Sequence, residues 1–277
     1  MDAWTFLAAP FAASLILAGI HTYLGVHVVE RGVIFVDLSL AQFAALGAAV
    51  AILLGTDAHS SSTYWVSVTF TLVGAALFST IRGRSARIPQ EAIIGICYAV
   101  ASAATILAMS QARGEIEHLQ EMLVGNLLFV SWDQVGKTAL LYSVIGGFHY
   151  YFRSSFLAIS TDHSLERVNG VSVKVWDLLF YASFGFVVTS SVSMAGVLLV
   201  FCYLIVPSVG GMLFARTIGR RLMIGWAMGT VVSAAGVFLS LHLDLPTGPT
   251  IVCTFGMVLA IMALARLAMG PMKAATP

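Results

Sequence analysis

Asp37 is the one charged side chain between Arg31 and Asp57, in the run Arg31-Gly-Val-Ile-Phe-Val-Asp37-Leu-Ser-Leu-Ala-Gln42. If that run spans a bilayer, the carboxylate sits about a turn and a half into the span. An ionisable group at mid-membrane depth costs roughly 2.5–3.5 kcal/mol on insertion scales, so it faces a partner or a watery path. Ala41, Ala44, Ala45, Gly47 and Ala48 follow it, small residues that let a second helix come close. An acid beside a smooth packing face suits a conduit for cations between helices. The alternative is a carboxylate that caps a helix end or closes an internal hydrogen bond.

The other polar groups inside apolar runs are few. His21 and His27 lie on different faces of the first run, His27 near enough to Arg31 to reach the cytoplasmic headgroups. His21 is deeper, either a satisfied packing group or a member of the path. Glu91 follows Pro89 and suits the first turn of a helix, where an acid meets the favourable end of the macrodipole. It equally suits a second path carboxylate beside Asp37. His118 lies in a polar connection and either meets an arriving cation or is solvated.

The elements that must hold these groups are membrane helices. Of 277 residues, 59% are hydrophobic and only 10% charged, where soluble chains carry about a quarter. Mean hydropathy is +0.93. Runs of spanning length, about 20 residues each, fall near 4–29, 32–55, 63–81, 92–109, 135–152, 175–192, 194–215, 222–241 and 249–268. The expected fold is an all-α integral membrane protein, a polytopic bundle of about 8–9 transmembrane helices in a single domain, 1–277. Twelve of the fourteen Lys and Arg residues fall in alternate connections, which makes that side cytoplasmic and places the N-terminus outside. No basic stretch precedes the first run, so no cleaved signal peptide is expected. Cys97, Cys202 and Cys253 all sit in apolar runs and form no disulfide framework.

Two connections are long. In 110–134, Ile116, Leu119, Met122 and Leu123 share one helical face, which predicts a segment along the membrane surface. In 153–174, Ser160 or Thr161 suits the cap of a short helix and Gly170 its end. A short helix tethered there transmits force from a soluble partner, or is a plain connecting loop. There is no phosphate-cradling Gly-x-x-x-x-Gly-Lys-Ser/Thr loop, no His-Glu-x-x-His helix and no Gly-x-Ser-x-Gly turn. Catalysis by this chain, ATP hydrolysis included, is therefore not expected. Basic residues without interleaved aromatics give no support for nucleic-acid binding.

Between about 20 and 267 the chain resembles the permease subunits of bacterial ABC importers for zinc, manganese and iron. The resemblance is carried by His21-Thr-Tyr-Leu-Gly-Val-His27, Val36-Asp37-Leu-Ser-Leu-Ala-Gln42-Phe-Ala-Ala-Leu-Gly47 and Glu91-Ala-Ile-Ile-Gly95-Ile. Further on come Leu123-Val-Gly125-Asn126-Leu-Leu, Gly196-Val-Leu-Leu-Val200, Ile205-Val-Pro207 and Gly248-Pro249-Thr250. It implies a protein of the bacterial cytoplasmic membrane with a fold similar to the permeases for vitamin B12 and siderophores. It implies a second copy of the permease around a central path, a cytoplasmic ATPase dimer and an extracytoplasmic metal-binding protein, all in membrane lipid. The divalent metal ion is cargo, and no cofactor is held permanently. The coupling segment maps onto 160–173, with Asp162, Leu165, Val168 and Gly170 toward the ATPase. Metal-path candidates are Asp37, Gln42, Glu91, His21 and His118.

One departure stands out. Many family members carry Gly-Asp-Ala-x-Ser-His in the second span, an acid and a histidine four residues apart on one face. Here Ala41 lies four residues after Asp37, and Gln42 lies about 140° round the helix. Matching Gln42 to the histidine puts Leu38 at the acid. A permease for a metal chelate such as a siderophore is the nearest rival reading. A secondary transporter is a more distant one, since the halves show no internal repeat.

Overall fold

The computed structural model describes residues 3–58, 60–81, 88–111, 125, 127–162 and 164–269, with side chains from residue 7 onward. They form ten α-helices: α1 Ala3–Arg31, α2 Val36–Leu53, α3 Ser61–Ile81, α4 Gln90–Gln111, α5 Trp132–Tyr151, α6 Arg153–Thr161, α7 Val173–Ala195, α8 Val197–Phe214, α9 Ile218–Leu243 and α10 Thr247–Ala268. A 3-10 turn at Leu127–Phe129 and two short strands, β1 Arg167–Val168 and β2 Val171–Ser172, complete the described elements. All but α5 and α6 are long and apolar enough to cross a membrane. Helices satisfy every backbone group internally, which hydrocarbon demands.

Side-chain pairs fix how the helices run. Phe35 N–H donates to Glu91 at 2.9 Å, so α2 and α4 start on the same side. Arg31 at the end of α1 pairs with Asp177 near the start of α7, so α7 also starts there. The chain leaves that side along α4 and is back on it for α7, so it crosses once more between them. Helix α5 makes that crossing: 20 residues reach about 30 Å. Its contacts run antiparallel to α7, Tyr142 to Ser191 and His149 to Ser183. Asp133 and Lys137 in its first turns are why it is less apolar than the rest. The described helices therefore make nine crossings, and Arg31, Arg153, Arg167, Lys174, Arg216, Arg220, Arg221 and Arg266 all fall at the same side.

The bundle has two groups. Helix α2 packs on α3 and α4, and α3 packs on α7; α1 packs on α8 and α9, which with α10 make the second group. The seam between the groups is closed by α1 and α8 against α7 and α2. Gly25 of α1 lies so close to the Leu204 carbonyl that any side chain there would displace α8. Gly47 of α2 meets the backbone of α3 at Ser67 in the same way.

Three expectations are corrected. Helix α2 begins at Val36, because Gly32 adopts φ +66° and turns the chain, so Asp37 lies in the first turn and not deeper in the span. The tight join near 192–194 is a break at Gly196, φ +76°, where α7 ends and α8 begins. The segment 160–173 is not a helix. Ser160 lies in the last turn of α6, and Arg167↔Ser172 and Val168↔Val171 pair as a hairpin. Asn169 and Gly170 both take positive φ, 51° and 76°. Two-residue Asn-Gly turns of this hand match the twist of a hairpin, and flanking valines favour strands over a helix. The surface segment expected in 110–134, with His118, lies largely outside the described residues.

The orientation is testable by thiol labelling in a background lacking the three native cysteines. Cysteine at Thr217, between α8 and α9, should resist a membrane-impermeant reagent added to intact cells. Cysteine at Leu245, between α9 and α10, should react. Labelling at Thr217 would reverse the topology.

Candidate functional site

Asp37 is 1% exposed, and its Oδ1 finds no hydrogen-bond partner among the described residues. It makes no cap: the residue before α2 is Phe35, and no side chain closes that end from within the helix. The first turn offers the positive end of the helix dipole but not a direct bond. A buried carboxylate oxygen left unbonded costs about 1–3 kcal/mol or more, so this one calls for a partner beyond the described residues. Helix α2, in whose first turn Asp37 lies, also touches α7 and α8, the helices at the seam.

Glu91 does not cap its own helix. From the first turn of α4 its Oε1 accepts the Phe35 N–H, capping α2 from a neighbouring helix, while its buried Oε2 has no partner among the described residues. Ser39 Oγ donates to the Ile94 carbonyl at 2.8 Å, a second bond between the same helices. Glu91 thus sets the start of the helix on which Asp37 lies two residues later.

His21 is fully buried with both nitrogens engaged. Nδ1 lies 2.8 Å from the Leu17 carbonyl, which makes it the donor and leaves Nε2 to accept from Ser191 Oγ at 3.0 Å. Tyr142 Oη and Ser191 Oγ share a hydrogen bond at 2.6 Å. His21 is therefore held by Leu17, Ser191 and, through Ser191, Tyr142, and among the described residues no hydrogen bond joins it to Asp37. Gln42 is buried on α2 but turned about 140° from Asp37. Leu38 is half-buried. Among the described residues no three His, Cys, Asp or Glu side chains come together as a metal cage. The structure thus brings Asp37 and Glu91 to one helix start and leaves Gln42 on another face.

At the cytoplasmic end, Asp162 Oδ1 accepts from Ser164 N and Oγ, 2.9 and 2.6 Å, in a tight turn after α6. Leu165 and Val168 are half-buried, packed in part against the chain's own helices. Trp176 Nε1 donates to the Val168 carbonyl at 3.1 Å and Asn169 Nδ2 to Ser155 Oγ at 2.9 Å, which folds the hairpin onto α6 and α7. Gly170 forms the turn, and Val171, 36% exposed, is the outward apolar residue.

Residues that sequence reasoning missed lie beside it. His27 does not reach the headgroups: it is buried, with Nδ1 2.9 Å from Ser160 Oγ and its ring edge-on to Tyr23. Arg31 is buried too, bonded to Asp177 and to Ser160. His149 joins Tyr23 and Ser183 and stacks on Phe156, centroids 4.3 Å apart. Asp177, an acid inside an apolar run, was the available signal for a buried partner.

The Glu91 cap can be measured by thermal unfolding in detergent. Glu91→Leu leaves the Phe35 N–H without an acceptor and should destabilise by about 0.5–2 kcal/mol, the range for lost caps. Glu91→Gln keeps an acceptor oxygen and should lose less. Equal melting of all three proteins would remove Glu91 from this role.

The ABC 3 transport family matches residues 3–266. A Haemophilus influenzae protein named "Probable iron transport system membrane protein" is 28% identical over 61% of this chain and 62% of its own length. The manganese import system permease protein ScaB of Streptococcus gordonii is 23% identical over 92% of this chain and 90% of its own. The chelated iron transport system membrane protein YfeC of Yersinia pestis is 24% identical over 90% and 82%. Among solved structures, PsaBC from Streptococcus pneumoniae in complex with Fab superposes with TM-score 0.78 at 21% identity, over 94% of this chain and 92% of that one. An ABC transporter described as metal-chelate type, in an inward-facing conformation, gives 0.71 at 15% identity, over 93% and 85%. The likeness in fold extends over nearly the whole bundle, and the apolar helices make this a multi-pass protein of the bacterial cytoplasmic membrane. With all but the terminal residues matched, the chain belongs to the ABC 3 transport family, the permeases of metal ABC transporters.

Proposed function

We propose that this chain is the transmembrane permease subunit of an ATP-driven importer of divalent metal ions, manganese, iron or zinc, with Asp37 as the acid of the path. The observation that carries it is the buried Asp37 oxygen with no bond from the described residues, on a helix that touches both helix groups. A divalent cation crossing a low-dielectric bundle needs compensating negative charge, and two copies about a shared axis would supply two such carboxylates. The relatives named for manganese and iron support the cargo class. The metal passes through as substrate and no cofactor is held. Hydrolysis of ATP belongs to a separate cytoplasmic ATPase dimer, which meets the hairpin around Val171, and an extracytoplasmic binding protein delivers the cargo.

A metal chelate is the second reading. It is favoured by the missing acid–histidine pair on α2, since a chelated metal needs no intramembrane ligands, and by likeness in fold to a metal-chelate type transporter. Uptake of free radiolabelled metal against the same metal in a chelate separates the two.

Asp37→Asn keeps shape and hydrogen-bonding capacity and removes the charge. It should insert and assemble normally while metal uptake in proteoliposomes falls at least about tenfold, a change of roughly 1.4 kcal/mol in the barrier. Parental uptake by Asp37→Asn would make Asp37 a structural group. Val171→Asp, on the outward face of the hairpin, should weaken ATPase docking more than Val168→Asp, whose side chain faces the bundle; the reverse order in a pull-down would move the docking surface elsewhere.

A further inference from the structure

We infer that Arg31 is the positioning residue through which the cytoplasmic hairpin moves the turn between α1 and α2, and with it the start of the Asp37 helix. This rests on the import reading above. The guanidinium is bonded to both legs of the hairpin at once. Nε donates to Ser160 Oγ at 2.9 Å, in the last turn of α6, which leads into the hairpin. Nη1 donates to Asp177 Oδ1 at 2.9 Å, on α7, which leads out of it. The Phe180 ring lies beneath, 3.8 Å from the guanidinium carbon. His27 Nδ1, 2.9 Å from the same Ser160 hydroxyl, ties α1 to α6 a turn earlier.

The hairpin is stiffly joined to these legs. Asn169 binds Ser155 of α6, Trp176 of α7 binds the Val168 carbonyl, and Val173 N–H donates to the Glu166 carbonyl at 3.0 Å. A displacement at Val171 therefore moves the end of α6 and the start of α7 rather than bending a loose loop. Arg31 must follow, because separating a buried pair strands a charge in low dielectric. The planar fork of the guanidinium holds its donors in fixed directions, so it follows without swivelling. On its other side Arg31 is the last residue of α1. Val33 N–H closes onto the Val28 carbonyl at 3.2 Å, Val36 N–H onto Val33 at 3.1 Å, and α2 starts. What reaches Arg31 thus reaches the first turn of α2, where Asp37 lies.

A pair that only stabilised the bundle would leave no mark on the response of this turn to ATP. The test therefore follows hydrogen exchange in residues 165–172 and 32–36 of the whole transporter, permease with its ATPase and binding protein, with and without ATP. Uptake per ATP hydrolysed is measured on the same preparations. In the parent, ATP should change exchange in both segments. In Arg31→Lys, which keeps the charge and loses the fork, the hairpin should still respond and the turn should not. Uptake per ATP should then fall about tenfold, within the 5- to 150-fold span of coupling between sites, while hydrolysis continues. Ser160→Ala, which removes one of the two bonds from a small side chain, should show the same pattern more weakly, and decides the matter if Arg31→Lys fails to assemble. A turn that responds to ATP in the variants as in the parent, with parental uptake per ATP, overturns the role of Arg31. A parent that carries no divalent metal would discard the cargo reading alone, since the exchange comparison is independent of what is carried.

Discussion

Of the charged side chains buried among the described residues, Arg31 and Asp177 answer each other while Asp37 does not find such a partner, and the bonded pair arranges the rest. Arg31 and Asp177 meet across 146 residues, both buried. Removing either partner of such a pair costs about 3–5 kcal/mol, because the survivor is left in low dielectric. The end of α1 and the start of α7 are therefore held at one height, and α6 is drawn to the same point through Ser160. Glu30, the neighbour of Arg31, pairs with Arg221 of α9. Two adjacent residues thus anchor α1 to both helix groups. The orientation of four helices depends on this one corner.

Apolar faces and some polar bonds, such as Ser39 to Ile94 and Tyr203 to Ser233, hold each group together, and two polar chains join the groups. His21, Ser191 and Tyr142 form one chain across the seam; Arg31, Asp177, Ser160 and His27 form another nearer the cytoplasm. Packing by dispersion favours close backbone approach, as at Gly25 against Leu204, and gives little choice between neighbouring registers. Directional bonds choose the register. They also give the seam a small number of discrete arrangements, which is what an element that switches between two states requires.

The multi-pass helical bundle was legible because composition follows from the bilayer alone, and the described basic residues named above gather at one end of it. The crossing expected at 135–152 is the least apolar of the nine: α5 has Asp133, Lys137 and several glycines, and where α4 ends and α7 begins supports its passage. The hairpin was missed although Asn169-Gly170 between valines carries its signature, since the capping pattern at Ser160 competes with it locally. The depth of Asp37 was misjudged because Gly32 looks in sequence like another small residue and acts in space as the turn. The Arg31–Asp177 pair was visible only as an unexplained acid in an apolar run; no local pattern names a partner 146 residues away.

The second helix is where this chain parts from the pattern its family resemblance implies, and the structure gives the departure a physical form. A histidine one turn from an acid would offer a cation a pair of ligands on one face. Here that face carries Leu38 and Gln42, while the acid stands at position 37. Oxygen donors suit hard divalent ions, and imidazole shifts preference toward zinc and the later transition metals. An α2 that retains a carboxylate and no imidazole therefore attracts positive charge with less discrimination among metals. Loss of a tight site need not impair passage, because conduction requires binding weak enough to release. Under the import function proposed above, selection of the cargo falls to what delivers it at the outer face, since a scaffold of packed helices is indifferent to which ligands line it.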